Sequence, residues 1–370
     1  MFEGQQGQWF NSKISLKGYD IIKTSEIKKM VWQERPNNII WVMMDDGRLL
    51  SLSYDRVSEF QAWAEHIIAG TDVKVTDIDM IPTASHDQIW LKVSRTVNSS
   101  TTYSFETLSR FPSEGALDRN DYVFSDSAIT KTIGNTFVAS SSSGLLITSV
   151  KHGLIDTQIV RFTSTGTPVD LPVNLSVNTD YYVRDKTTDT FKVALASGGT
   201  AIAWSDAGTG IHSWNTKQLH GMTHLVGEDV QIYYEGMQHV NRTVASDGSV
   251  ALSHYEGDKA VAGLAYTTEV DTLEPSAPEH QFSYSKRLIK IAVIIEESLG
   301  IQLDYNDLSE ELLFRTTSDA MGRQIPLFSG TRKLSLSGIG WDVHTVKISS
   351  NGPLPMQLNA IIIEAETGGT

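Results

Sequence analysis

The chain has 370 residues, enough for roughly two or three domains with cores of their own. Its apolar fraction of 40% and charged fraction of 20% are those of a folded protein, and the absence of cysteine excludes disulfide scaffolds, thiol nucleophiles and Cys-ligated metal sites. A net charge of −14 has the wrong sign for counterion-releasing binding to phosphates; it serves solubility first, and a surface that repels DNA is the sharper reading.

No apolar stretch approaches the length of a membrane span, and Met1 to Gly18 holds no signal-type apolar run, so cytoplasmic synthesis without membrane insertion is the expectation. Regular structure is expected to begin near Trp32. The run Ile39 to Met43 stops at Asp45-Asp46-Gly47, a hairpin signal, and Leu49 to Tyr54 returns. Phe60, Trp63, Ala64 and Ile67 fall near helical spacing, which predicts a short helix between Asp55 and Gly70. Strands follow over Val73–Ile81, Gln88–Val97 and Thr101–Leu108, the last two divided by Asn98-Ser99-Ser100.

From Ile129 to Trp214 the chain turns rich in Thr, Ser, Gly and Val, with a serine run at Ser140 to Ser143. Ile159–Phe162, Asp180–Val183 and Thr190–Ala194 read as strands of an inserted β module. Val230 to Leu252 reads as a compact meander, Val261–Tyr266 as a further strand, and Pro275 and Pro278 as an irregular connection. Leu288–Ile295 is apolar except for Lys290, which predicts burial on both faces. A helix between Asn306 and Phe314 would turn Leu308, Leu312 and Leu313 inward. Val343–Ser349 alternates, and Leu358–Ile363 follows Pro353 and Pro355 as a last strand.

The fold class is therefore mainly β, with several antiparallel sheet modules and few short helices. The divisions expected are a platform domain at 1–128, an inserted small β module at 129–216, a small barrel-like meander at 217–283, and a C-terminal β region at 284–370 returning to the platform.

Chemistry-bearing patterns are sparse. His220 and His224 stand four apart, but Gly221 lies between them and a strand follows at once, which suits loop histidines better than zinc ligands. Gly208-Thr209-Gly210 lacks the lysine and hydroxyl of a phosphate loop and reads as a turn. No Gly-x-Ser-x-Gly elbow occurs. Asp45 with Asp46, Glu296 with Glu297, Glu310 with Glu311, and Glu364 with Glu366 are carboxylate pairs whose plainer reading is turn or surface. No catalytic, metal or cofactor residue is assigned, and no enzyme is expected. The eight tryptophans divide between core packing and subunit interfaces.

An ordered set of motifs goes further. It runs Trp32-Gln33, Pro36, Ile40-Trp41-Val42, Asp46-Gly47-Arg48-Leu49-Leu50, Gln61-Ala62-Trp63, Gly70, Asp87-Gln88-Ile89-Trp90 and Glu106-Thr107-Leu108. It resumes with His224-Leu225-Val226-Gly227-Glu228, Gly263-Leu264-Ala265-Tyr266, Lys286-Arg287-Leu288, Pro326-Leu327-Phe328, Gly340-Trp341 and Pro353-Leu354-Pro355. This order resembles the tail nozzle, or tail tubular protein B, family of short-tailed bacteriophages. Members usually carry a long region ahead of the part matching Trp32, so the expectation is either that this chain is the C-terminal half of the family fold or that another polypeptide supplies the rest. Between the two runs, His152-Gly153, Val160-Arg161-Phe162, Leu171-Pro172, Asp180-Tyr181-Tyr182-Val183 and Thr190 to Ala194 resemble small β modules that recur in phage tail proteins.

The resemblance implies a partial β-propeller-like platform and a virion protein. It would be a ring of copies of itself, a hexamer, below the portal and adaptor and above fibre, spike or needle proteins. Genomic DNA would pass along the axis without sequence-specific binding. The rival expectation is a tail adhesin gripping host glycans through Tyr181, Tyr182, Trp204 and Trp214. A glycan depolymerase and an unrelated soluble β-protein are further alternatives.

Overall fold

The structure, a computed structural model, describes residues 2–5, 8–11, 19–55, 60–110, 119–140, 145–273, 285–305, 308–312, 314, 324–335 and 345–368. The serine run at 141–143, Pro275, Pro278, Leu313, Gly340-Trp341 and Val343 lie outside them. The protein is mostly β, built of several antiparallel sheets and one small six-stranded barrel, with few helices. It divides into two compact units, Met1–Leu117 with His224–Glu228, and Asp118–Thr223 with Asp229–Thr370.

The first unit opens with the hairpin β1 (Phe2–Gln5) and β2 (Gln8–Asn11) and the one-turn helix α1 (Tyr19–Ile22), so regular structure begins well before Trp32. A four-stranded meander follows: β3 (Ile27–Gln33), β4 (Ile39–Met44), β5 (Leu49–Asp55) and β6 (Phe60–His66). A three-stranded meander comes next: β7 (Thr71–Pro82), β8 (Asp87–Val97) and β9 (Ser100–Thr107). β4 is apolar at every position because both its faces are covered. Ile39, Trp41 and Met43 pack with Leu49 against Val75, Ile78, Ile89, Leu91 and Val93 of the second sheet. Val42, Met44 and Leu50 pack under Ile21, Ile22 and Trp63.

The helix expected between Asp55 and Gly70 is instead β6, paired with β5 from Asp55↔Phe60 to Leu49↔His66. A short isolated helix is marginal, whereas an existing strand edge offers a full ladder of hydrogen bonds. Pairing outweighs the spacing of Phe60, Trp63, Ala64 and Ile67.

The second unit starts with β10 (Asp126–Thr132). The barrel comprises β11 (Gly134–Ala139), β12 (Ile147–Thr148), β13 (Ile159–Asp170), β14 (Tyr181–Arg184), β15 (Thr190–Ala194) and β16 (Thr209–Asn215), closed in the order β11-β12-β15-β14-β13-β16. Next come β17 (Gln218–His220), β18 (Asp229–Tyr234), β19 (Met237–Thr243), β20 (Ser249–Ala251), β21 (Lys259–Leu264) and β22 (Thr268–Asp271). The last are β23 (Ser285–Ser298), β24 (Gln302–Tyr305), β25 (Leu308–Glu311), β26 (Phe328–Ser335), β27 (Lys347–Ser350) and β28 (Gln357–Gly368).

Their sheets run β10-β21-β18-β19, β17-β20, β22-β27-β24-β25 and β26-β23-β28. The chain leaves the first of these sheets after β10, builds the barrel and comes back to finish the sheet. β10 spans the expected boundary at 128/129 and pairs with β21, from Thr132↔Lys259 to Asp126↔Leu264.

The C-terminal strands belong to this second unit. β22 pairs with β27, and Leu288, Ile291, Val293 and Ile295 share a core with Leu303, Val346 and Ile348. The helix expected between Asn306 and Phe314 gives way to β25, paired with β24; Leu312 is buried and Leu308 exposed. β23 is covered on one face and only partly on the other: Ala292 is buried and Ile294 half-buried, while Ile289 on β23 and Ile362 on β28 reach solvent.

Candidate functional site

The carboxylate pairs resolve into local roles. Asp46 sits in the β4–β5 turn, accepting from the Arg48 amide (3.1 Å) and Arg48 Nε (2.8 Å). Arg48 then donates to the Ile21 carbonyl (3.0 Å) and Thr24 Oγ1 (2.6 Å), tying the turn to α1. Glu296 accepts from Gln357 and Asn359 at 3.2 and 3.3 Å. Glu310 and Glu311 are neighbours on one strand, so their side chains point to opposite faces. Glu364 and Glu366 share a face, but each has its own cation, Lys290 (3.9 Å) and Arg287 (2.6 Å).

His220 lies on β17 and His224 in a one-turn 3-10 segment, so their spacing makes no helical face. Among the described residues no group of three or more His, Asp or Glu side chains is placed to hold a metal ion. Gly208 and Gly210 (φ +71° and +95°) serve packing: an added Cβ would meet the carbonyls of Asp170 and Thr165 on the neighbouring strand at 2.5 Å. A serine–histidine contact absent from the sequence reading joins Ser51 Oγ to His66 Nε2 at 2.7 Å. Ser51 is buried, with the Trp41 ring tilted at 48° and 4.9 Å from that of His66, and burial pushes His66 down to about 4. The pair therefore satisfies a polar group in the core.

The rings proposed for glycan stacking are interior. Trp214, Tyr181 and Trp204 pack with Phe137, Phe162 and Phe191 inside the barrel, and Trp214 Nε1 donates to Ser149 Oγ at 3.0 Å. Tyr182 is half-buried. Of the other tryptophans, Trp41 is core and Trp32 exposed.

The barrel is held at its base by a network that the sequence did not announce. Tyr255 Oη donates to Asp180 Oδ1 at 2.9 Å, Arg161 Nε reaches the same oxygen at 2.5 Å, and the guanidinium lies 4.2 Å from the Tyr255 ring centre. Burial together with the Asp180 carboxylate pushes the Tyr255 phenol up to about 12. Asn215 Nδ2 donates to the Gly257 carbonyl and Gln158 Nε2 to the Gln218 carbonyl. The module is thus fixed to β17 and to the segment leading into β21.

The exposed apolar side chains of the first unit were also missed. Tyr103 and Phe105 alternate with Ser104 and Glu106 on β9 and stand in solvent. Alternation was legible, but which face would be covered was not, because that depends on the neighbouring sheet. Trp32, Met30 and Phe60 are exposed on β3 and β6. No protein-family model matches the chain, and no curated protein does.

Proposed function

We propose that the chain is a structural subunit of the tail tube or nozzle of a short-tailed phage virion and has no enzymatic role. The observation that carries this reading is the order of motifs from Trp32 to Leu108, resumed from His224 to Pro355, around a separate run that resembles small tail-protein modules. Supporting it, the first run falls on the two meanders of the first unit, and the interrupting run coincides with the closed barrel. The exposed rings on β3, β6 and β9 suit a protein that assembles with copies of itself. The adhesin reading loses three of its four rings to the barrel core.

In this reading six copies form a ring below the portal and adaptor and above fibre, spike or needle proteins. DNA passes along the axis during ejection. Acidic side chains facing the axis repel phosphates and keep the DNA mobile. Native mass spectrometry with negative-stain imaging of the purified chain tests the proposal. A six-fold ring with an axial hole is expected. A monomer, both alone and with the tail adaptor added, would overturn it.

A further inference from the structure

Sheet edges offer backbone groups for pairing with other chains, and proteins guard them with lysines, prolines and bulges. In the first unit each of the two meanders has one guarded edge and one bare edge. β3 carries Lys28 and Lys29 and a register shift between Ile27 and Lys29. β7 carries Lys74, Pro82 and two register shifts. These guarded edges face each other: Lys29 Nζ lies 2.8 Å from Asp77 and 3.8 Å from Asp79.

β6 and β9 end the two sheets on the other side. Both pair with their single described neighbour without a register shift, and neither contains Lys, Arg or Pro. They are seven and eight residues long. Phe60, Ala62 and Ala64 stand exposed on β6, and Tyr103 and Phe105 on β9. Each edge carries one carboxylate that is already paired within its own chain, Glu65 with Arg48 (3.4 Å) on β6 and Glu106 with Arg95 on β9.

We infer that β9 of one copy adds onto β6 of the next, continuing the sheet from subunit to subunit. The two edges match in length, in exposed apolar side chains and in carrying no unbalanced charge, which makes a second copy of this chain the occupant. Because the edges differ, the contact is head-to-tail, and its repetition gives a ring where the rotation between copies closes; a β9-to-β9 contact would stop at two copies. The inference rests on the ring reading above and supplies its subunit contact.

The cysteine-free background allows a direct test. Full-length Ala62→Cys and Ala64→Cys chains are each mixed with Thr101→Cys and Tyr103→Cys chains under mild oxidation. The expected result is a cross-link between a β6 variant and a β9 variant, with none between chains of one kind. Phe105→Lys, at an exposed position, is expected to lose the assembled form at concentrations where the wild type is fully assembled, with unchanged circular dichroism. A wild-type ring that gives no mixed cross-link, and that Phe105→Lys leaves intact, overturns this contact alone. Cross-links between two β9 variants also overturn it. A wild type that never assembles overturns the ring reading and the contact together.

Discussion

Arg95 carries the most demanding charge in the first unit. Its side chain is 3% exposed, and its donors are met by the Ala69 carbonyl (2.8 Å), Ser104 Oγ (3.1 Å) and both oxygens of Glu106. A buried guanidinium that loses its carboxylate is uncompensated, so Glu106→Ala should destabilise the unit by about 3–5 kcal/mol. The double change Arg95→Met with Glu106→Met should cost less than the single one, and urea unfolding followed by tryptophan fluorescence compares them. His66 sets a pH dependence. Its folded value of about 4 lies below the ordinary 6.5, so the unfolded chain takes up the proton first. Its contribution is therefore complete above pH 6.5 and is lost as pH falls towards 4, a loss of about 3 kcal/mol. Burial also lowers His152, His220 and His239, which adds to the same trend. Urea midpoints measured from pH 7.5 to 4.5 should fall, and His66→Gln should flatten the curve.

Hairpins were the elements most legible from the chain itself. Asp45-Asp46-Gly47 gave the β4–β5 turn because the requirement is local: Gly47 has φ +96°, and a Cβ there would meet Lys74 Cβ at 2.6 Å. Gly47→Ala should therefore destabilise the first unit by about 2 kcal/mol, read as a drop in its melting temperature. The barrel was legible as a change of composition between Ile129 and Trp214, although closure itself is a long-range property. The two expected helices failed for one reason. Phe60, Trp63, Ala64 and Ile67, and likewise Leu308 and Leu312, have helical spacing, but each segment lies beside a strand with an open edge, and no local pattern records that neighbour. The same blindness affected the candidate site. Only the rival adhesin reading needed Trp204, Trp214 and Tyr181 as surface rings, and barrel closure turned them inward. The Arg161–Asp180–Tyr255 network joins residues far apart in sequence and left no local signal.

Two compact units with separate cores imply two cooperative transitions for the whole molecule. Scanning calorimetry of the full chain should resolve them. Glu106→Ala should displace only the transition of the first unit, and Trp214→Ala only that of the second, each by several degrees. The acidic balance acts at this scale too: repulsion between copies opposes assembly, so a ring would form more readily as added salt screens it.

Gly134 and Asn215, the first and last barrel residues, sit opposite each other in one ladder, and the Thr216 amide donates to the Ile133 carbonyl at 2.7 Å. The points where the chain enters and leaves the barrel are thus a single rung apart. In evolutionary terms the barrel is a cassette. Its gain, loss or exchange asks for two adjacent chain ends and for new partners to the groups of Tyr255, Gly257 and Gln218 that now bond to it. Replacing residues 134–215 with an Asn-Gly turn should leave a folded protein with the β10-β21-β18-β19 sheet intact, as hydrogen exchange of those strands would report. Such a joint lets a lineage trade the decoration it carries while the rest of its fold stays constant.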